Sequence, residues 1–243
     1  LGSLYHDSNV GGLLLIRFPF STLTRVDFDC YYSHIKRTAQ WSDEGSRTFD
    51  ILLPTLTGVF DNVIWGLTGP VNGVRSALSV TAVPPTASID ASFAAAELDV
   101  RAYFHFAKKF VLATRASLGA SMPFDDGKAS RRYILGGDRN WFNYRVNEEG
   151  YDENTESVFY SDLVVPFRGW YYYDLVGARH AVVNVEFRFP FIKEVSSVWP
   201  LPLRLRYING AVFVDVGNAW DRGDQYDNFP LPHKIYGGIG FGM

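Results

Sequence analysis

The side chains that most often carry out chemistry in proteins do not form a catalytic or metal-binding pattern in this sequence. The five histidines show no H-x-x-x-H spacing, and Cys30 is the only cysteine. An intrachain disulfide and a zinc site built on several cysteines are therefore excluded within this chain. The G-x-S-x-G and P-loop patterns are also missing from the sequence. We predict that the chain is not an enzyme and that it uses no metal and no cofactor.

An arginine and an aspartate have the sequence surroundings of an ion pair. Arg168 precedes Gly169 in PFRGW, where glycine allows the tight turn that lets an arginine project from a loop. Asp215 alternates with valines in AVFVDVGNAWD and so shares a strand face with Phe213. A carboxylate partly removed from water needs a partner, and a guanidinium offers a charged planar fork that fits it. From these residues alone, an exposed arginine and a solvated aspartate remain the alternative.

Strands with strict alternation must position these residues. Between residues 96 and 106 the even positions are all apolar, and the odd positions are Glu97, Asp99, Arg101, Tyr103 and His105. Long strands with one apolar and one charged face are typical of a transmembrane β-barrel, which has lipid outside and a polar lumen inside. We therefore expect the even positions to face lipid. A soluble all-β domain, whose strands alternate but are usually shorter, is the alternative.

The alternation predicts nine antiparallel strands and almost no helix. They lie at 11–20, 22–37, 48–62, 72–83, 92–107, 109–121, 179–191, 203–219 and 233–243. Short turns alternate with longer connections, as expected of periplasmic turns and external loops. The count is odd, and an open edge in lipid would leave backbone groups unpaired. We therefore expect residues 1–243 to be an incomplete barrel, with terminal strands and an N-terminal periplasmic domain outside this chain.

Residues 122–178 interrupt this series of strands. The segment is too long for an ordinary loop and too rich in glycine, charge and aromatic residues for a strand, and segments of this kind are usually functional or disordered. It contains GGD at 136–138, the acidic stretch EEGYDENTE at 148–156, and PFRGW. The acidic stretch lacks the spacing of a calcium loop, so we interpret it as a solvated external loop. We expect residues 138–163 to be an external insertion that tolerates shortening.

The overall charge argues against a nucleic-acid partner. The formal net charge is −3 and the isoelectric point is about 6.0, so the chain has no strong basic field. No run of about 18 apolar residues is present to form a transmembrane helix.

Seven motifs occur in an order that resembles one known family. They are FDN (60–62), GPVNGVR (69–75), LDVRAYF (98–104), RRYILGG (131–137), FRGW (167–170), VVNVEFRFPF (182–191) and AVFVDVGNAWD (211–221). In this order they resemble the barrel of the BamA, TamA and TpsB outer-membrane superfamily, also called the bacterial surface-antigen family. The resemblance implies a barrel of about sixteen strands, of which this chain supplies about nine, in the bacterial outer membrane.

The resemblance also implies a role for the long segment. Residues 122–178 correspond to the family's sixth external loop, which enters the lumen. FRGW stands at the place of the family's VRGF or VRGY motif, and Phe213, Asp215 and Gly217 match its F-x-D-x-G strand motif. The resemblance implies that Arg168, at the loop tip with Phe167, Gly169 and Trp170, contacts Asp215 inside the barrel. Glu186 and Arg188 on the preceding strand are expected to extend this contact, and the alternative is that they are adjacent lumen charges of the kind found in any barrel.

The implied function is insertion or translocation of polypeptides at the outer membrane. The implied partners are outer-membrane lipids and lipopolysaccharide, client polypeptides, and periplasmic or surface proteins. About thirty residues separate Gly137 from Arg168, more than is usual in the family. This length resembles the subgroup whose barrel follows a TolB-like β-propeller. The alternative function is therefore a structural barrel that anchors an attached propeller or other domain and transports nothing.

Overall fold

A computed structural model describes nine parts of the chain. They are residues 5–39, 46–86, 89–107, 109–125, 128–137, 160–164, 166–200, 202–221 and 234–242. The acidic stretch at 148–156 and most of the expected insertion at 138–163 lie outside these described residues.

Nine long strands make up most of the described chain. They are β1 (Tyr5–Pro19), β2 (Thr24–Ala39), β3 (Arg47–Asp61), β5 (Gly69–Val83), β6 (Phe93–Phe106), β7 (Phe110–Pro123), β11 (Arg179–Ser197), β12 (Leu203–Trp220) and β13 (Tyr236–Gly242). Four three-residue strands complete the set, namely β4 (Ile64–Gly66), β8 (Tyr133–Leu135), β9 (Asp162–Val164) and β10 (Leu175–Gly177). No α-helix occurs in the described ranges, so the prediction of an all-β chain is confirmed.

The nine long strands form one antiparallel sheet in the order β1-β2-β3-β5-β6-β7-β11-β12-β13, with β4 paired to β5. Each long strand therefore lies beside its neighbour in sequence, except that β7 and β11 pair across the long segment. In the described residues, β1 and β13 pair with another strand on one side only. This up-and-down order is that of a barrel wall, as predicted.

Within the described residues, no helix is long and apolar enough to span a membrane.

The two faces of the sheet differ in the way that the alternation predicted. Leu98 and Phe104 are exposed on the outer face of β6. On the inner face, Asp99 binds both Arg101 and Arg115, with shortest nitrogen–oxygen distances of 2.7 and 2.6 Å. His105, near the end of β6, is exposed. Large apolar side chains on the outer face and paired charges on the inner face fit a wall between lipid and a polar lumen.

The long segment is more ordered than the sequence predicted. Its described residues form a small sheet in the order β10-β8-β9, in which β8 pairs antiparallel with β10 and parallel with β9. Tyr133, Leu135, Val164 and Phe167 pack with Val182 of β11 in a buried cluster. The strands are only three residues long, so the sequence offered no alternation from which to detect them.

The hairpin of β11 and β12 also differs from the prediction. β11 was expected to end at residue 191, but it continues to Ser197 past an irregularity between Pro190 and Ile192. The extra residue at this bulge breaks the period of two, and for this reason the sequence pattern could not be followed beyond it.

Candidate functional site

The candidate site lies where the long segment meets β11, β12 and β13. Val212, Val214 and Val216 of β12 are exposed on the outer face, whereas Asp215 is completely buried on the inner face. Alternation of side chains along the strand produces this difference between adjacent residues. The strand therefore directs the Asp215 carboxylate toward the loop and the three valines toward lipid.

The Arg168 guanidinium lies against the Asp215 carboxylate. Nε of Arg168 donates to Oδ2 of Asp215 at 2.7 Å, and Nη2 donates to Oδ1 at 2.8 Å. The backbone N–H of Arg168 donates to the same Oδ2 at 2.9 Å. The contact is thus a two-pronged ion pair with a third hydrogen bond that fixes the loop backbone itself.

Three residues of β11 extend this contact. Nη1 of Arg168 donates to Glu186 at 3.1 Å, and Nε of Arg188 donates to the other oxygen of Glu186 at 2.6 Å. Asn184 donates to Oδ1 of Asp215 at 2.8 Å and to the carbonyl of Pro166 at 3.0 Å. Asn184 therefore joins the strand carboxylate to the residues just before the loop tip.

Burial and the carboxylates act in opposite directions on Arg168. Burial disfavours the charged guanidinium, but the hydrogen bonds and charges of Asp215 and Glu186 outweigh it and raise the pKa of Arg168. Because arginine is always protonated in water, the guanidinium stays charged in the site.

An aromatic ring supports the other side of the guanidinium. The Arg168 Cζ lies 3.5 Å from the centroid of the Phe213 ring, well within the distance for a cation–π contact. A Cβ added to Gly240 of β13 would lie 2.5 Å from the same ring. The Phe213 ring therefore fills the space over a glycine and presents its face to the arginine.

Glycine is required at two places where the loop tip meets β13. Gly169 has a φ of +94°, a left-handed conformation that side chains other than glycine rarely adopt. A Cβ on Gly238 would lie 2.0 Å from the backbone oxygen of Arg168. Trp170 Nε1 also donates to the carbonyl of Gly237 at 3.2 Å. The loop tip thus lies directly on the backbone of β13.

The paired glycines at 136 and 137 connect the beginning of the long segment to its end. Their φ angles are +125° and +81°. The backbone N–H of Gly137 donates to Trp170 at 2.8 Å, and Phe167 donates to Gly137 at 3.0 Å. Phe167 itself is completely buried. The GG motif therefore holds the FRGW backbone by two hydrogen bonds.

Gly217, the last residue of the matched strand motif, has a different role. A Cβ at this position would lie 2.5 Å from the carbonyl of Ala181 on the neighbouring strand. Gly217 therefore lets β11 and β12 approach closely beside Asp215 and has no contact of its own with the loop arginine among the described hydrogen bonds.

A second group of polar contacts holds the start of the long segment to β6. Arg131 donates to Glu97 at 2.7 Å, and the Tyr133 hydroxyl donates to the same carboxylate at 3.2 Å. The Tyr133 ring also lies 4.4 Å from the His180 ring, measured between centroids. Burial, followed by the charge of Glu97, raises the pKa of Tyr133, so the hydroxyl remains a donor. The segment is thus attached to the inner face at both of its ends.

The structure brings together all eight of the residues proposed from sequence for this site. Phe167, Arg168, Gly169 and Trp170 form the loop tip, and Glu186, Phe213, Asp215 and Gly217 lie on β11 and β12 beneath it. Sequence reasoning missed Asn184, Gly238 and Gly240. Asn184 is one more polar residue in an alternating strand, and the repeated glycines of YGGIGFG were the only signal for the other two.

The chemistry of this arrangement is binding and positioning. Among the described residues, no group of three or more histidine, cysteine, aspartate or glutamate side chains is placed to hold a metal ion. Arg168 forms hydrogen bonds with the carboxylates of Asp215 and Glu186, and these bonds hold the loop against the sheet.

Comparison with known proteins identifies the family. The sequence model described as the Omp85 superfamily domain matches residues 3–243. This chain belongs to the Omp85 superfamily.

The fold of this Omp85 chain is similar to that of a solved protein. The crystal structure of BamA from Haemophilus ducreyi lacking POTRA domains 1–3 matches with a TM-score of 0.58 and 15% sequence identity. The match covers 98% of this chain and 48% of the BamA chain, so this chain spans about half the length of that relative. A search of curated proteins found no match. The predicted family, the BamA-like barrel fold and the outer-membrane location are confirmed.

Proposed function

We propose that this Omp85 barrel takes part in the insertion or translocation of polypeptides at the outer membrane, without enzymatic chemistry. We further propose that residues 122–178 are its sixth external loop and that Arg168 holds the loop inside the lumen. The observation that carries this proposal is the fully buried Asp215, which accepts three hydrogen bonds from Arg168. A charge pair withdrawn from water in this way gives a loop one defined position.

The parts of the protein needed for passage extend beyond this chain. The similar BamA chain is about twice as long, which supports the proposal that further strands and an N-terminal periplasmic domain complete the protein. Client polypeptides would pair by β-augmentation with strands at the seam of the complete barrel. The proposed partners are these clients, outer-membrane lipids and lipopolysaccharide, and periplasmic or surface proteins.

A structural barrel that only anchors an attached domain is the second candidate. The observation that favours it is the spacing of about thirty residues between Gly137 and Arg168, which departs from the family's usual loop. A TolB-like propeller as the attached domain stays a prediction.

Depletion of the complete protein in its native host distinguishes the two candidates. The measurement is a census of the other outer-membrane barrels by mass spectrometry and by heat-modifiable gel mobility. If the protein inserts or translocates polypeptides, depletion lowers the amounts of other barrels, and the wild-type gene restores them. An unchanged census after depletion would leave the anchor as the function.

Complementation with variants then tests the loop. Arg168→Ala and Asp215→Ala are expected to restore the census less well than wild type. Arg25→Ala is the matched control, because Arg25 pairs at 3.0 Å with Asp27 of its own strand β2. Heat-modifiable mobility of each variant verifies that its own barrel has folded. Full restoration by Arg168→Ala would refute the role of the loop while leaving the insertion function intact.

A further inference from the structure

The hairpin at the ends of β11 and β12 extends beyond the neighbouring strands. β11 pairs with β7 only as far as Arg188, and β12 pairs with β13 only from Ala211 onward. Among the described strands, residues 189–197 and 203–210 therefore pair only with each other. At about 3.3 Å per residue, this part of the hairpin is roughly 25 Å long. It lies at the end of the sheet with the short turns, which is the periplasmic end.

The hairpin leaves the sheet where the lipid-facing surface ends. The outward-facing positions of β11 run from Ala181 to Phe191, and with a strand tilt of about 40° they span roughly 25 Å, the height of a barrel's apolar band. The Phe187 ring contacts the Phe189 ring at 6.0 Å between centroids, and Phe189 and Phe191 each contact Phe241 of β13 at 6.2 Å. An aromatic belt of this kind marks the boundary between hydrocarbon and headgroups. Residues beyond Phe191 therefore begin at that boundary.

Two backbone features occur at this same level. The pairing of β11 with β12 shifts between Pro190 and Ile192. On β12, Tyr207 has a φ of +56°, a left-handed conformation that is uncommon for tyrosine. Bulges bend a strand and increase its twist. Both irregularities thus occur where the hairpin leaves the neighbouring strands, at the end of the apolar band.

The extended part of the hairpin carries an apolar cross-strand pair next to a charged one. Val195 pairs with Leu205, whereas Glu194 pairs with Arg206 on the alternate face and also binds Arg204. At the tip, Val198 is 88% exposed and Trp199 is 85% exposed.

The charge of the hairpin is positive. Between residues 189 and 210 the charged side chains are Lys193, Glu194, Arg204 and Arg206, three cations against one anion, which gives a net charge of +2. Tryptophan together with basic residues beside an apolar face is the composition of segments that lie in a membrane interface.

We propose that residues 192–207 lie on the periplasmic phospholipid leaflet, with Val198 and Trp199 inserted at the boundary between headgroups and acyl chains. Two observations select lipid as the occupant of this surface. The hairpin begins at the level of the aromatic belt, where the register shift and the left-handed Tyr207 interrupt regular strand geometry. Its net positive charge complements anionic headgroups. The hairpin thereby adds an in-plane contact to the contacts that the barrel wall makes.

Site-directed spin labelling of the complete protein tests this proposal. The protein carries Val198→Cys in a Cys30→Ser background, bears a nitroxide label, and is reconstituted in vesicles of phosphatidylethanolamine and phosphatidylglycerol. Collision of the label with oxygen, which partitions into lipid, is compared with collision with a water-soluble nickel chelate. The matched control is Lys109→Cys, an exposed position in the short turn between β6 and β7 at the same end of the sheet. Heat-modifiable mobility verifies that both labelled proteins have folded.

We expect the oxygen-to-nickel ratio to be several-fold higher at position 198 than at position 109. We also expect the ratio at 198 to fall when phosphatidylglycerol is replaced by phosphatidylcholine, because the attraction to the basic residues is then lost. A label at 198 that is as accessible to nickel as the label at 109 would place the tip in water and overturn the proposal. Burial of the label only after a periplasmic protein is added would also overturn it, in favour of a protein partner.

Discussion

Replacing Arg168 with alanine should strand the Asp215 carboxylate in the lumen. Asp215 is completely buried and would lose both side-chain hydrogen bonds from Arg168. It would keep the bonds from Asn184 and from the backbone N–H of residue 168. Removal of one partner from a buried ion pair typically costs about 3–5 kcal/mol. We expect Arg168→Ala to fall in this range, because two neutral N–H donors compensate a buried charge poorly.

Replacing Asp215 with alanine should cost less than replacing Arg168. In that variant Arg168 keeps Glu186 as a partner, and its side chain is 14% exposed, so it retains some contact with water. We therefore expect about 3 kcal/mol, the lower end of the range for a broken buried pair. The double variant should be less destabilising than the sum of the two, by roughly 1–3 kcal/mol, because the partner that each single change strands is also gone.

The quantity to measure is the free energy of local opening of the loop. Limited proteolysis of the folded protein in membranes reports this energy when opening is fast relative to cleavage. Heat-modifiable mobility separates loosening of the loop from unfolding of the barrel. If the effects of the two single substitutions on this free energy add up in the double variant, the buried pair is refuted. Effects of under about 1 kcal/mol each would refute it too, since exposed ion pairs contribute about that much or less.

Three other changes test the faces of the sheet, the loop contact and the long segment. Leu98→Arg on the outer face should cost about 2–4 kcal/mol in chemical unfolding in vesicles, whereas Ser79→Arg on the inner face should cost much less; equal costs would contradict the lipid assignment. Gly238→Ala should lower the free energy of loop opening, measured by proteolysis, by about 1–3 kcal/mol, because the new Cβ would meet the Arg168 carbonyl. The control Gly242→Ala, which has open space around it, should leave this free energy unchanged. Shortening the chain within 138–159 should leave heat-modifiable mobility unchanged, since long loops tolerate length changes at small entropic cost; its loss would show that these residues support the barrel.

The last residues of the predicted insertion at 138–163 are part of the folded structure. Tyr160 is buried and packs edge-on against Phe93, with centroids 6.0 Å apart. Asp162–Val164 form β9, which pairs with β8. These residues belong to the fold of the long segment, and for this reason the proposed deletion stops at residue 159.

The sequence by itself determined the class of the fold and the direction of its side chains. A period of two is preserved over ten or more residues in strands such as β6, because lipid on one side and a polar lumen on the other select every alternate residue. The same alternation placed Asp215 opposite its neighbouring valines, so its need for a partner could be predicted. The identity of that partner came from the order of the family motifs, because no local pattern connects residues 47 positions apart.

Only the tertiary structure decided what surrounds the arginine. Gly238 is necessary because the loop returns onto β13, and this contact joins segments that are separate in sequence. Asn184 has the same alternation as any polar residue on an inner face, and only its distances show that it belongs to the site. The sequence did not predict the full length of the β11–β12 hairpin, because one extra residue at the bulge reverses the faces that alternation assigns. Periodicity thus fixes which way a side chain points, whereas its partner depends on how distant segments pack.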